Sequence, residues 1–317
     1  MLARQMTLLR TCVFPCAGFG TRFFPATKVI PKEMLPLVDK PILQYGIEEA
    51  LASGLDKLII ITSQGKESIL DHFDRSHSLE RQLREKGKND LLAEVEAAGK
   101  LVDLISIRQK DALGLGHAVL SARDAVVNEP FAVLLPDDVI LADEPCLKQM
   151  RKVFEDTGRP VVALMEVPAS ETSRYGIVAG DLIGKRRFKV KDMVEKPKIK
   201  PPSHYAIIGR YILPPDIFPL LAKTELGAGG EIQLTDAMRD LVRQGDFYGY
   251  VFEGHRYDAG EKLGYLKATV DYALRHPVLG NEFRTYLQGL FGDGKAARGS
   301  RPARRGAGTR RRVRADR

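Results

Sequence analysis

The residues best suited to chemistry sit in an early loop and at a later pair of acids. The stretch "FPCAGFGTRFFPATKVIPKEMLP", Phe14 to Pro36, packs Gly18, Gly20, Arg22, Lys28, Lys32 and four prolines into 23 residues. Ala17 and Gly18 let backbone N–H groups approach a ligand where a larger side chain would clash. Arg22 offers a planar fork of donors that suits phosphate oxygens, and Lys32 adds a second, compact charge. Pro25 and Pro31 keep the loop from winding into a helix. Together these residues describe a phosphate cradle. It is not a P-loop, because G-x-x-x-x-G-K-[ST] is absent. The dinucleotide pattern G-x-G-x-x-G is only half met, since Phe23 stands at its third glycine position. Asp137 and Asp138 lie towards the end of "FAVLLPDDVI" (131–140). No His/Cys spacing suits zinc, and no Ser-His-Asp or Cys-His arrangement is evident.

The elements that must position these residues follow from periodicity. Apolar runs predict strands over 7–14, 56–63, 104–109, 131–140 and 160–167, with helices over 40–54, 114–126 and 146–157 between them. Strands alternating with crossover helices predict an α/β fold, a Rossmann-like and mostly parallel mixed sheet with helices on both faces. Ligands of such sheets sit outside the carboxyl ends of the strands, so the loop and Asp137 can share one site. From 174 onward, short strands separated by turns predict a smaller, antiparallel region. Helices return at 215–223, 231–245, 261–276 and 281–291. Residues 78–100 read as a charged helical arm, either a solvated helix pair or a lid or subunit contact.

Composition narrows the class. The chain has 317 residues, 44% of them hydrophobic, enough to bury a large core. No apolar run reaches the ~18 residues of a membrane span, and the first ten residues lack the apolar centre of a secretory signal. Three cysteines, Cys12, Cys16 and Cys146, without ligand spacing predict reduced thiols and a cytoplasmic protein. The net charge of +8 is local: residues 295–317 hold ten Lys and Arg against one Asp, leaving 39 of the 49 basic and 40 of the 41 acidic residues elsewhere. That tail has too little apolar surface to order itself. It reads either as a solvated tail or as a contact for nucleic acid or another polyanion, although it has no aromatic residue for base stacking.

The loop continues as A-G-x-G-T-R-x-x-P-x-T-K, then P-K-E-M-L-P, then K-P. In order there follow "RQKDALGLGHAV" (108–119), "VLLPDDVI" (133–140), "RYGIV" (174–178), "VEKP" (194–197), "IGRYIL" (208–213), "GGEIQLTDA" (229–237) and "YDAG" (257–260). This series resembles the sugar-1-phosphate nucleotidylyltransferases over roughly residues 8–280, and most closely the bacterial UTP–glucose-1-phosphate uridylyltransferases. Departures are few: Cys16 before Ala17, Phe24 in place of a more usual Leu, and the Arg-rich tail.

The resemblance implies roles. Ala17 and Gly18 contact the nucleoside through backbone, and Glu33, Gln109 and Gly114 frame a uracil. Arg22, Lys32 and Lys196 are the catalytic cations. Glu195 takes sugar hydroxyls, Lys196 the sugar phosphate, and Gly176 and Gly209 offer backbone contacts to the sugar. Asp137 is the natural Mg2+ ligand, since hard oxygens suit that ion, and Asp258 resembles the second metal aspartate. Asp138 reads as structural. His117 reads as a helix-start residue, because the reaction needs no proton transfer. Glu231 stays open among a site residue, a helix N-terminal charge and a subunit contact.

The expected domain is 7–294, with a nucleotide part at 7–168 and a sugar-phosphate part, the antiparallel region, at 169–294. The expected reaction is UTP plus α-D-glucose 1-phosphate giving UDP-glucose and pyrophosphate, with Mg2+ as cofactor and a homo-oligomer, dimer or tetramer, as the assembly. The alternatives are a dTTP- or GTP-using relative and a polyanion-binding protein acting through its tail.

Overall fold

"TCVFP" and "KLIIIT" are buried at almost every position, as expected of strands covered on both faces. The computed structural model describes residues 9–292. In chain order the first strands and helices are β1 (Thr11–Pro15), β2 (Pro36–Leu37), β3 (Lys40–Pro41), α1 (Ile42–Ala52), β4 (Lys57–Thr62), α2 (Ser68–Phe73), α3 (His77–Glu85), α4 (Asn89–Gly99) and β5 (Leu104–Arg108). Next come α5 (Leu115–Ser121), β6 (Phe131–Leu134), β7 (Asp138–Leu141), α6 (Cys146–Thr157), β8 (Val161–Glu166), β9 (Gly176–Ile183), β10 (Arg187–Glu195) and β11 (Tyr205–Leu213). The last are α7 (Ile217–Leu221), α8 (Leu234–Gln244), β12 (Phe247–Val251), β13 (His255–Asp258), α9 (Lys262–Arg275) and α10 (Gly280–Gly292).

Among the described residues nine strands form one sheet in the order β5-β4-β1-β6-β11-β8-β12-β10-β9. β5, β4, β1 and β6 are parallel, whereas β11 runs antiparallel to both β6 and β8. β9 also pairs with β11, so the antiparallel half curls back on itself. The antiparallel strands expected after residue 174 are therefore continuous with the parallel ones.

Period-2 alternation splits the core into two layers. Cys12, Phe14, Leu58 and Ile60 face α1 and α6, packing with Leu43, Ile47, Leu147 and Met150. Val13, Ile59 and Ile61 face α5, α7 and α8, with Val119, Leu221 and Met238. Helices thus cover both faces. A third cluster, Leu37, Ile42, Val139, Tyr257 and Ala268, packs the small β7–β13 sheet near the loop.

Three expectations change. The run 131–140 is two strands, β6 and β7. Pro136 has no N–H to donate, Leu135 donates its N–H to Gly209 O (2.9 Å), and the chain turns, so β7 leaves the main sheet for β13. The helix expected over 114–126 ends at Ser121, where Ala122 and Arg123 tighten to bonds with Val119 O and Leu120 O. The helix expected from 231 starts at Leu234, because Ile232 donates to Leu113 O and accepts from Gly116 N–H, both at 2.8 Å. Residues 78–100 are a helix pair, α3 and α4, bridged by Arg84–Glu96 at 3.0 Å.

Contacts divide the chain into Met1–Tyr272 and Ala273–Arg317. The described part of the second unit is the end of α9 and α10, where Phe283 and Tyr286 stack at 6.3 Å. The basic stretch 295–317 lies outside the described residues. Among those described, no helix is long and apolar enough to cross a membrane.

Candidate active site

Between β1 and α1 the backbone makes three separate 3-10 turns, Thr21–Phe23, Ala26–Lys28 and Lys32–Met34, as the prolines require. Gly20 has φ 65°, and its carbonyl accepts the Thr27 hydroxyl at 2.7 Å. Gly18 is exposed, and a Cβ built on it would meet no atom within 4 Å, so the backbone there is open to a ligand. Ala17 beside it is buried and anchored through its carbonyl, which accepts from Ser63 Oγ at 3.1 Å.

Beneath the loop lies a buried pair. Lys66 Nζ donates to Glu33 Oε2 at 2.8 Å and also to Cys16 O, tying the loop to the end of β1. Burial pushes the Glu33 carboxyl above its ordinary value, against the pull of Lys66 and Lys32. Its Oε1 is buried without a hydrogen-bond partner. Burial also pushes the Cys16 thiol up, which leaves it an inert packing group.

The cations and the carboxylates converge. Lys32 Nζ donates to Asp137 Oδ2 at 2.6 Å. Burial alone would lower the Lys32 ammonium and raise the Asp137 carboxyl. Their mutual attraction wins for both, so Lys32 is held above and Asp137 below its ordinary value. Gly260 marks the meeting point: a Cβ there would lie 2.7 Å from Asp137 Oδ2, 3.2 Å from Asp258 Oδ1 and 3.4 Å from Arg22 Nη1. Arg22 also reaches Glu261 at 3.3 Å. Burial raises the Asp258 carboxyl, with nearby Asp138 and Asp137 adding to it and Arg256 opposing. Asp138 is buried and takes Gly209 N–H at 2.8 Å and Arg256 Nε at 2.7 Å, in keeping with a structural role.

Two further groups gather other expected site residues. In the first, Gln109 Nε2 reaches Gly114 O at 3.3 Å and His117 Nδ1 at 2.9 Å. Gly114 has φ 90°, and a Cβ on it would strike the Glu231 side chain at 2.6 Å. In the second, Glu195 Oε2 accepts from Thr235 Oγ1 at 2.7 Å, and Lys196 Nζ sits 3.3 Å from Glu195 Oε1. A Cβ built on Gly176 would lie 3.2 Å from both Glu195 Oε2 and Thr235 Oγ1. Lys196 holds φ 42°, sparsely populated for a residue with a Cβ. Gly209 is buried under the turn, where its N–H donates to Asp138 and its carbonyl accepts the Leu135 N–H, so both backbone groups are already used.

A nucleotidyl transferase family model matches residues 16–274, a span that takes in every group named above. The chain belongs to the nucleotidyl transferase family. Within it, this nucleotidyl transferase is 48% identical over 288 residues to UTP–glucose-1-phosphate uridylyltransferase 2 of Staphylococcus saprophyticus, covering 90% of this chain and 99% of that protein. It also resembles a UTP-bound UGPase from Acinetobacter baumannii, with TM-score 0.84 and 39% identity over 89% of this chain and 100% of that one. A UDP-glucose pyrophosphorylase complexed with UDP-glucose matches with TM-score 0.78 and 41% identity, covering 85% and 100%.

Sequence reasoning did not single out Lys66, Tyr175, Thr235, Arg256 or Gly260. For Arg256 a signal existed: it stands two residues before Asp258 on β13, so the two share a face.

Proposed function

We propose that this nucleotidyl transferase moves the uridylyl group of UTP to α-D-glucose 1-phosphate, releasing pyrophosphate. The observation that carries the reading is the centre at Gly260, where Arg22, Lys32, Asp137 and Asp258 meet, together with the Gln109–Gly114 pair and the Glu195–Lys196 pair, which one short segment joins through Glu231 against Gly114 and Thr235 against Glu195. A nucleotide alone needs the first pair and the loop. A second cation at Lys196 makes sense when a second anion must be held beside the first.

In this reading a sugar-phosphate oxygen attacks the α-phosphorus of UTP in line, the bond from that phosphorus to the bridging oxygen breaks, and pyrophosphate leaves. A phosphate monoester has a second pKa of about 6, so the nucleophile is already largely dianionic and no side chain need remove a proton. The difficulty is bringing two polyanions together. Arg22 and Lys32 hold and neutralise the triphosphate, Lys196 holds and aims the attacking phosphate, and Glu195 accepts sugar hydroxyls. Gln109 presents an amide to the uracil edge. The partnerless Glu33 Oε1 supplies an acceptor close beneath the loop. Asp137 and Asp258 fit a Mg2+ ion, which takes one or two carboxylates and completes its shell with water and substrate phosphates. Among the described residues no group of three or more His, Cys, Asp or Glu is placed to hold a metal, so a metal here relies on the substrate for further ligands. Bound there, Mg2+ would supply charge neutralisation at the reacting phosphates.

The test is pyrophosphate release from each of UTP, dTTP, GTP and ATP with glucose 1-phosphate. A clear preference for UTP supports the reading, and faster release from dTTP or GTP, or no release, overturns it. The proposal includes a cytoplasmic location, supported by three free thiols, and a homo-oligomer, which light scattering on the purified protein checks.

A further inference from the structure

Arg256 is a single side chain that touches three parts of the site. It lies on β13, and its side chain is 8% exposed. Its Nε and Nη2 both reach Asp138 Oδ1. Its Nη2 also lies 3.6 Å from Asp258 Oδ2, and its Nη1 donates to the Tyr175 hydroxyl at 3.0 Å. The guanidinium lies over the Tyr175 ring, 5.3 Å from the centroid.

Each contact leads on to a site group. Asp138 is fixed to β11 through Gly209 N–H, and its backbone neighbour is Asp137. Asp258 opposes Asp137 across Gly260. Tyr175 accepts Lys196 N–H on its carbonyl at 3.0 Å, at the residue whose φ is 42°. A non-glycine residue persists in that conformation only when its surroundings hold it. Tyr175 also directly precedes Gly176, which faces Glu195. Three acids, Asp137, Asp138 and Asp258, crowd this corner, and Arg256 stands between two of them.

We infer that Arg256 is a positioning residue that fixes the Asp137–Asp258 carboxylates relative to the Tyr175–Lys196 segment, so that the metal ligands and the sugar-phosphate cation keep one relation. A planar fork with donors in fixed directions can serve Asp138, Asp258 and Tyr175 together, whereas a lysine ammonium is a point charge and can serve only part of the set. The inference rests on the uridylyl-transfer reading for its sugar-phosphate arm.

The experiment uses the full-length protein with Arg256→Lys and Tyr175→Phe. Mn2+ binding is titrated by electron paramagnetic resonance with UTP present and no sugar phosphate, KM is measured for both substrates, and folding is followed by circular dichroism. Arg256→Lys is expected to weaken Mn2+ binding about tenfold, the usual effect of losing a group that orients a metal ligand, and to raise the KM for glucose 1-phosphate. Tyr175→Phe is expected to raise that KM severalfold while leaving Mn2+ affinity unchanged. If Arg256→Lys does not fold, Arg256→Met with Asp138→Asn removes the buried pair without stranding a charge and is expected to weaken Mn2+ in the same way. Wild-type Mn2+ affinity and wild-type KM values in folded variants would overturn the inference, because a merely structural arginine would change melting temperature alone. Failure of the uridylyl-transfer reading looks different: the wild type itself would then show no turnover with UTP and glucose 1-phosphate.

Discussion

At Asp137 burial and charge pull in opposite directions, and charge wins. A carboxylate taken out of water should become harder to ionise, yet Lys32 at 2.6 Å keeps it charged. An anion held ready in this way beside Asp258 is suited to a cation and a phosphate. Asp137→Asn should therefore lower turnover by at least about a hundredfold, the scale of losing one charge-stabilising group. Its far-ultraviolet circular dichroism should match the wild type, since asparagine keeps the side-chain volume and the bond from Ala259 N–H goes to the Asp137 backbone carbonyl. Turnover near wild type would remove Asp137 from the metal site. Lys196 tests the other anion. Its ammonium is half exposed and, among the described residues, forms an ion pair with Glu195 alone, so Lys196→Ala should leave UTP binding by calorimetry unchanged. The same variant should lower kcat/KM for glucose 1-phosphate roughly ten- to a hundredfold, as loss of a charge-assisted hydrogen bond implies. Alanine is the correct substitution because it keeps a Cβ at φ 42°, whereas glycine would also relax the backbone. Weakened UTP binding with an unchanged sugar-phosphate KM would place Lys196 on the wrong substrate.

At the scale of elements, helix ends and turns deliver the site. The β6–β7 turn presents Asp137, β13 presents Asp258 and Arg256 from one face, and the start of α8 with the residues before it touches both further groups. Ile232, before the helix, is bonded to Leu113 and Gly116, and Thr235, in its first turn, to Glu195, three residues apart in the chain. Away from the site, α2 carries His72, hydrogen-bonded to Gln44 on α1 at 2.9 Å. Burial lowers its pKa below the ordinary value. The sign follows from proton linkage. As pH falls through the unfolded value of about 6.5, the unfolded chain takes up the proton first, so stability is lost until the folded value is passed. The wild type should thus lose melting temperature between pH 7.5 and 5.5. His72→Gln, which keeps a hydrogen-bonding side chain but cannot titrate, should lose less. Identical pH profiles by differential scanning calorimetry would show that His72 is not the sensor.

At the scale of the whole molecule, the sheet is pinned to two of its covering helices by a buried charge pair. Arg210 on β11 is 1% exposed, and it meets Glu49 on α1 at 2.8 Å, while Glu49 also accepts Leu147 N–H on α6 at 3.1 Å. Glu49→Ala strands a buried guanidinium and should cost about 3–5 kcal/mol in urea unfolding, whereas Glu49→Leu with Arg210→Met should cost markedly less. Equal losses would mean that the pair is not isolated from water. The site itself spans Ala17 to Gly260, all within one unit. Truncation after Gly292 should therefore leave kcat and both KM values within about twofold, since no group named at the site is removed. A collapse of activity in steady-state assays would assign residues 293–317 a part in the site.

Some of this was legible in local sequence and some was not. The parallel strands β1, β4 and β6 could be read because their apolar runs are dictated by burial on both faces, which is a property of adjacent residues. The irregular loop could be read because proline and glycine act on their own backbone. The types of the expected site residues were proposed the same way, since phosphate chemistry restricts them to cations, carboxylates and open backbone. Tertiary structure alone decided which charges meet. Lys32 and Asp137 are 105 residues apart, and Arg256 and Asp138 are 118 apart. No local pattern encodes such a pairing, because it depends on which strands become neighbours. The same cause split 131–140 into two strands and gave Asp138 to Arg256. A one-strand reading put two aspartates at a strand end, and only the family resemblance, not the periodicity, set Asp137 apart as the metal ligand from Asp138 as structural. The turn at Pro136 sends Asp137 to the loop lysine and Asp138 inward, where burial demands a paired counter-ion.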